Sequence, residues 1–324
     1  MKFLGKHVSP IIVAEISCNH AGSLDRAKMT IVKAYQSGAD VVKIQTYTAD
    51  EMCADKSYTI KGTKWDGQNL YELYKKNETP YEWLLELFDF ARSAGIPLYS
   101  SVFSLKGLKA LEKAGCPAYK IAGFESNDTN LILKVKDTNK PIVMSLNQFT
   151  TTEKRVGLAN VYLYCISNYP TKINDLCFRR YLQLKEDFGY HYFGFSDHCE
   201  SMHAAAHAAA MGADMIERHF SLELTGDDKE VSLNPAQFRL YVKGIRRAAE
   251  MYEGRGNIGL ENAQFMRSIY ATKDIKKGEI FNSENIGTFR PNEGIPAALY
   301  RNILGKYAKA DISANKPLKW DDIL

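Results

Sequence analysis

The sequence predicts an α/β fold, a (βα)8 TIM barrel with a small domain rich in short β-strands behind it. Three observations carry that expectation. Short apolar runs recur eight times in the first 220 residues, mostly alternating with amphipathic stretches of helical length. A repeated strand-then-helix order makes the strands parallel, and eight of them close into a barrel. Polar residues gather at the carboxyl ends of those runs, the edge on which barrel enzymes build their sites. After residue 252 the segment EGRGNIGLENAQ reads as a polar, glycine-rich linker, and short strands and turns replace the helices.

The strands are expected at 11–16, 41–46, 98–103, 118–122, 141–145, 161–165, 192–196 and 215–219. Helices follow at about 23–37, 80–94, 105–115, 128–138, 174–187, 200–211 and 235–252. Only 150–157 lies between the fifth and sixth strands, so the helix there must be short or absent. An insert over 47–79 follows the second strand and is too long for an ordinary connection. Its aromatics, Tyr58, Trp65, Tyr71 and Tyr74, suit a lid that packs down, or a separate apolar cluster beneath the insert. The expected domains are 1–252 for the barrel, 253–264 for the linker and 265–324 for the small domain. At about sixty residues the last is near the lower limit for independent folding.

Composition excludes several classes. A formal charge of +4 over 324 residues is small, and the small domain balances ten Lys/Arg against seven Asp/Glu, so no nucleic-acid footprint is present. The first residues lack a signal-peptide core and no apolar run reaches spanning length, which predicts a cytoplasmic protein without a membrane partner. Six cysteines without a CxxC fit reduced thiols, and Cys18 and Cys199 read as small buried hydrophobes rather than nucleophiles.

The unit at 192–220, YFGFSDHCESMHAAAHAAAMGADMIERHF, concentrates the chemistry. His198 and His219 follow or end successive parallel strands, so two imidazoles there can bind one divalent metal with positions left open, or be unrelated polar residues. Lys43 and Lys120 lie within apolar strands, where lysine is seldom buried without a partner. Ringed by Ser100, Ser101, Ser145, Ser167 and Ser196, they suit a small ligand with phosphate and carboxylate groups; each could instead pair with Glu15 or Glu217. Three patterns carry nothing. The GxGxxG at 254–259 follows a helix rather than a strand. His203 and His207 lack the glutamate of a zinc-protease motif, since Ala204 stands there, and Gly305-Lys306 has no glycine-rich loop before it.

These motifs resemble the sialic acid synthase family, which joins a barrel to a C-terminal antifreeze-like (SAF) domain. The matching words are AEISCNHAGS (14–23), GADVVKIQTYTADEM (38–52), YKIAGFE (119–125), CISNYP (165–170), GFSDH (194–198), IERHF (216–220), RSIYATKDIKKGE and RPNEGI. The insert wording at 59–83 resembles the pseudaminic branch of the family rather than the N-acetylneuraminate branch. The resemblance implies a transferase that condenses phosphoenolpyruvate with an acetamido sugar aldehyde, a 2,4-diacetamido-2,4,6-trideoxy hexose, to give a nonulosonic acid and phosphate. It implies Mn2+ or Mg2+ on His198 and His219, and phosphoenolpyruvate on Lys43, Ser101, Lys120, Ser145, Ser167 and Ser196. Gln45, Tyr169, Asp228 and Arg290 are implied near the sugar, and Glu15, Glu125 and Asp228 as catalytic carboxylates. Arg290 is implied to reach a partner subunit's site in a domain-swapped homodimer.

Some positions depart from the family pattern. Ser145-Leu146-Asn147-Gln148 stands where Ser-Thr-Gly-Met is common, Gly123 where a serine is usual, and Leu84 where the pseudaminic branch often has histidine. Two other readings follow: the same reaction on an N-acetylneuraminate or legionaminate precursor, and a non-catalytic binding relative.

Overall fold

The computed structural model describes residues 9–189, 191–254 and 260–324. It divides into two compact units, Met1–Arg255 and Gly256–Leu324.

The first unit is the barrel. Its strands are β1 (Ile11–Glu15), β2 (Val41–Thr46), β3 (Leu98–Val102), β4 (Tyr119–Ile121), β5 (Ile142–Leu146), β6 (Val161–Tyr164), β7 (Tyr192–Asp197) and β8 (Met215–Phe220). Every end lies within one residue of its expected position. All pair in parallel in chain order, and β1 also pairs with β8, which closes the ring. Nearly every strand residue is buried, as both faces are covered: side chains inside, helices outside. Gly194 on β7 is required by close approach. A Cβ there would stand 2.0 Å from the Met215 carbonyl oxygen of β8.

The surrounding helices are α1 (Leu24–Gln36), α4 (Leu84–Ser93), α5 (Leu105–Lys113), α6 (Thr129–Lys136), α7 (Phe178–Asp187), α8 (His203–Ala210) and α9 (Pro235–Glu253), with α2 (Ala49–Met52) and α3 (Leu70–Asn77) inside the insert. Side-chain oxygens of Ser23, Ser104 and Asp128 accept backbone N–H groups at the starts of α1, α5 and α6. At α9, Asn234 and Gln237 form a capping box before Pro235, and Gly254 closes the helix at φ +57°. Ala204, Ala205, Ala208 and Ala209 form the buried face of α8, small enough to pack closely on α9.

Three helices start later than expected. Pro80 leads into a 3-10 turn, Tyr81–Trp83, before α4, and Ile173–Asp175 forms a separate turn before an extended Leu176 and α7. A turn through Ser201 and Met202 precedes α8. Between β5 and β6 only the 3-10 turn Thr152–Lys154 forms, as the short spacing requires. A two-residue strand, β9 (Ser232–Leu233), pairs with His219 and Phe220 and folds the 221–231 loop back over the end of β8.

The second unit has its own core of Ile269, Ile275, Phe281, Ile286, Ile295, Ile303 and Leu318. Its β10 (Ser268–Ala271) and β11 (Ile286–Phe289) pair antiparallel, and α10 (Tyr300–Ile303) is short. The expected turns form at Gly278, with φ +80°, and at Asn282, whose Oδ1 accepts the N–H groups of Glu284 and Asn285. Of the segment expected as linker, Glu253 ends α9, Glu261–Phe265 forms a 3-10 turn, and 255–259 lie outside the described residues with most of the GxGxxG pattern.

Candidate active site

Side chains two apart on a strand share a face, so one polar residue in the barrel interior brings its i+2 neighbour with it. Lys43 is buried and its Nζ lies 2.7 Å from Glu15 Oε2 and 3.0 Å from Glu217 Oε1. Lys120 is buried 4.0 Å from the same Glu217 oxygen and donates to Ser145 Oγ at 2.7 Å. Ser196 Oγ donates to Glu217 Oε1 at 3.1 Å. Glu217 is therefore the hub that joins β2, β4, β7 and β8. The lysine–carboxylate pairing that the sequence left open is present, in the same cluster as Ser145 and Ser196.

The two lysines differ electrostatically. Burial disfavours the Lys43 ammonium, but Glu15 and Glu217 more than offset it, and its pKa rises. Lys120 is pulled down to about 8 by burial, with repulsion from Lys43 acting against the attraction of Glu217. Burial pushes Glu217 up, but Lys120 and Lys43 outweigh it and hold that carboxyl well below its usual range. Ser101 Oγ, Glu125 Oε2, Glu217 Oε2 and Asp228 Oδ1 are buried without a hydrogen-bond partner. Such atoms are rare in folded chains, and their gathering here marks a place for a ligand.

His198 and His219 face each other with ring centroids 5.4 Å apart. His198 Nδ1 lies 2.9 Å from the Ile166 carbonyl oxygen, which can only accept, so Nδ1 carries the proton and Nε2 the lone pair. His219 Nδ1 lies 2.7 Å from Asp228 Oδ2, which fixes the same tautomer. Burial, then His219, holds the His198 pKa down to about 3, which keeps its imidazole neutral. Two imidazoles, each with Nδ1 hydrogen-bonded and Nε2 left for a ligand, fit a divalent cation well. Among the described residues no group of three or more His, Cys, Asp and Glu forms a closed cage, so other positions would fall to water or substrate.

Glu125 lies on the 3-10 turn Phe124–Asn127 after β4. Burial raises its carboxyl to about 7, against the pull of Lys120. Glu15 is held differently. Its Oε1 accepts both the N–H of Ser17 at 2.6 Å and its O–H at 3.0 Å. Gln45 donates to the same Ser17 oxygen at 3.1 Å, so β1 and β2 orient each other's polar ends.

The insert covers the mouth beside Tyr169. The Trp65 ring lies 6.3 Å from that of Tyr169, which packs 4.3 Å from His198 and 6.0 Å from His219. Lys64 pairs with Glu230 at 2.9 Å and Lys76 with Asp227 at 2.9 Å, tying the insert to the loop that carries Asp228. An aromatic cluster of Tyr47, Tyr74 and Phe103 lies under the insert as well. Tyr58 is exposed.

The barrel thus brings together Glu15, Lys43, Gln45, Ser101, Lys120, Glu125, Ser145, Ser167, Tyr169, Ser196, His198, His219 and Asp228. Arg290 belongs to the second unit, exposed after β11. Cys18 is no nucleophile, since burial and the nearby Asp228 carboxylate push its thiol far up. His203 and His207 are exposed on α8, with His207 against the Phe178 ring. Sequence reasoning treated Glu217 only as a partner for lysine; its place two residues before His219 on one strand was the available signal. Ser17 carried none, because its role arises from a turn, while Asn147 and Gln148 showed only as departures from the family pattern. Arg218 and Asp197, 3.1 Å apart, face outward to Tyr241 of α9 and hold the strands that present the histidines.

A family model described as the NeuB family matches residues 30–257, and a SAF domain model matches 266–324. The chain is 40% identical to a pseudaminic acid synthase of Campylobacter jejuni over 96% of each chain. It is likewise 40% identical to one of Helicobacter pylori, over 97% of this chain and 98% of that one. The solved spore coat polysaccharide biosynthesis protein spsE of Bacillus subtilis superposes with a TM-score of 0.64 at 29% identity, covering 100% of this chain and 99% of that one.

Proposed function

The chain belongs to the NeuB family, with a SAF domain behind its barrel, and from that membership we propose that it makes pseudaminic acid or a close relative. The reaction is condensation of phosphoenolpyruvate with a 2,4-diacetamido-2,4,6-trideoxy hexose in its aldehyde form, a transferase activity. The observation that carries this reading is the pair of buried lysines at the floor of a mouth whose rim holds two oriented imidazoles.

Lys43 and Lys120, with Ser101, Ser145, Ser167 and Ser196, bind the carboxylate and phosphate of phosphoenolpyruvate. Gln45, Tyr169 and Asp228 border the sugar end, where the Trp65 segment excludes water. His198 and His219 would hold a divalent cation through Nε2, and such a cation, Mn2+ or Mg2+, supplies Lewis-acid polarisation of an aldehyde oxygen when bound. Holding the enol carbon against the aldehyde converts a bimolecular encounter into a positioned one. The new carbon–carbon bond takes the enol π electrons while the aldehyde's π pair moves onto its oxygen, which takes up a proton to become a hydroxyl, and cationic character is left at the carbon bearing phosphate. Glu15, anchored by Ser17, offsets that charge. Water adds there, and Glu125 accepts its proton, since a carboxyl near 7 is well matched to proton transfer at neutral pH. Cleavage of the carbon–oxygen bond then expels phosphate.

Among the described residues no helix is long and apolar enough to cross a membrane, which agrees with a cytoplasmic enzyme. Arg290 acts, on this reading, in a partner subunit's site within a homodimer. The deciding experiment is phosphate release from phosphoenolpyruvate with Mn2+ and a panel of amino sugars. Release with the diacetamido trideoxy sugar is expected. Release only with an N-acetylneuraminate or legionaminate precursor would reassign the substrate, and binding without release under all conditions would make the chain a non-catalytic relative.

A further inference from the structure

We propose that the Asn147 carboxamide is a direct ligand of the substrate's phosphate and that Gly123 exists to make room for it. This rests on the reading that phosphoenolpyruvate is the substrate. Asn147 follows β5 and is buried. Its Oδ1 accepts the N–H of Phe149 at 3.0 Å and the O–H of Thr150 at 3.1 Å. Two donors on one oxygen fix which way the amide faces, so the nitrogen points into the site. There Nδ2 donates to Ser167 Oγ at 2.9 Å. An amide nitrogen carries two N–H bonds, and this contact uses one of them.

The space for that nitrogen is space that a side chain at 123 would fill. A Cβ on Gly123 would lie 3.0 Å from Asn147 Nδ2, 3.0 Å from Ser167 Oγ and 3.2 Å from Asn147 Cβ. Positions 123 and 147 are therefore one steric unit. The unit adjoins the lysine cluster, because Ser145, which bonds Lys120, precedes Asn147 by two residues on the same face. The Ser167 N–H donates to Gln148 Oε1 at 3.0 Å, so both residues after Leu146 hold the β6 loop in place. A neutral donor bonded to the Ser167 hydroxyl, two residues along the chain from the Ser145 that takes the Lys120 ammonium, matches a tetrahedral dianion that accepts from several donors at once. The histidine side of the mouth is left to the sugar.

The test is binding of phosphoenolpyruvate alone, by calorimetry on the full chain, with inorganic phosphate as a second probe. Asn147→Asp keeps the Oδ1 acceptor and replaces the donor by negative charge, so affinity for both probes should fall about ten- to hundredfold. Its melting temperature should hardly change, and Asn147→Ala serves if the aspartate variant does not fold. Gly123→Ser should lower affinity through the clash, and Gly123→Ser with Asn147→Gly should bind better than Gly123→Ser alone, because contacting residues do not act additively. Affinity of Asn147→Asp and Asn147→Ala within about twofold of wild type, well under the loss of one charge-assisted bond, would overturn the proposal. Additive losses in the double variant would overturn the steric pairing. A wild-type chain that binds no phosphoenolpyruvate would overturn the reading of the reaction itself.

Discussion

Replacing Glu125 by glutamine tests which carboxylate moves the proton. Glu15, Glu217 and Glu125 are all buried or nearly so in the barrel mouth, and the structure treats them differently. Glu15 is tied to Lys43 and to both donors of Ser17, and Glu217 to Lys43 and Ser196, so both are occupied by partners. Glu125 has its carboxyl raised, from 4.5 to about 7, by burial that Lys120 only partly counters. A group poised there must be deprotonated to accept a proton from water, so kcat/KM should climb as pH rises through about 7. It should fall again above about 8, where Lys120 loses the proton that binds the anion. Losing a positioned base costs about a hundredfold or more in kcat. In Glu125→Gln the rate should drop by that factor, KM for phosphoenolpyruvate should hardly move, and the lower limb should vanish. A limb arising from the substrate's own phosphate would survive in the variant, so the comparison separates enzyme from substrate. A variant that keeps the wild-type kcat, or that keeps the same lower limb, would refute the assignment.

The other predictions are shorter. His198→Ala or His219→Ala should remove metal-dependent turnover with little change in fold, and Asp228→Asn should weaken metal binding about ten- to hundredfold; full activity after chelation would refute the metal role. Shortening the insert around Trp65, or breaking Lys64 and Lys76 by alanine, should raise KM for the sugar far more than for phosphoenolpyruvate, and equal losses would indicate a purely structural insert. Gly194→Ala should destabilise the barrel by about 3 kcal/mol or more, because the added methyl meets a backbone carbonyl rather than a movable side chain; an unchanged urea midpoint would refute that. Arg290→Ala and His198→Ala chains, each inactive alone, should regain part of the activity when mixed if Arg290 completes a partner's site. Subunit exchange without recovery would rule out the shared site.

The barrel was legible because a parallel strand buried on both faces is a nearly continuous apolar run, and eight such runs survive any error in their ends. The polar exceptions inside those runs were legible for the same reason: Lys43 and Lys120 are conspicuous among valines and isoleucines. Helix starts were less legible, since Ile173–Asp175 forms a local turn whose composition resembles the helix after it.

Partnership was harder to read than position. The sequence shows Lys43, Glu15 and Glu217 on three strands, but only closure of β1 onto both β2 and β8 puts both carboxylates within 3.0 Å of the Lys43 ammonium. Asp228 meets His219 because β9 returns beside the end of β8, a two-residue strand with no sequence signal of its own. The departures at Gly123 and Asn147 show the same limit most sharply. Read singly along the chain, a missing serine and an added asparagine each subtract from the phosphate site. In three dimensions the asparagine occupies the volume the serine would have filled and turns a donor toward the same place. Two positions that contact each other have to be judged as one change in shape and one change in hydrogen bonding, and on the proposed reading the asparagine supplies the donor that the serine would have given.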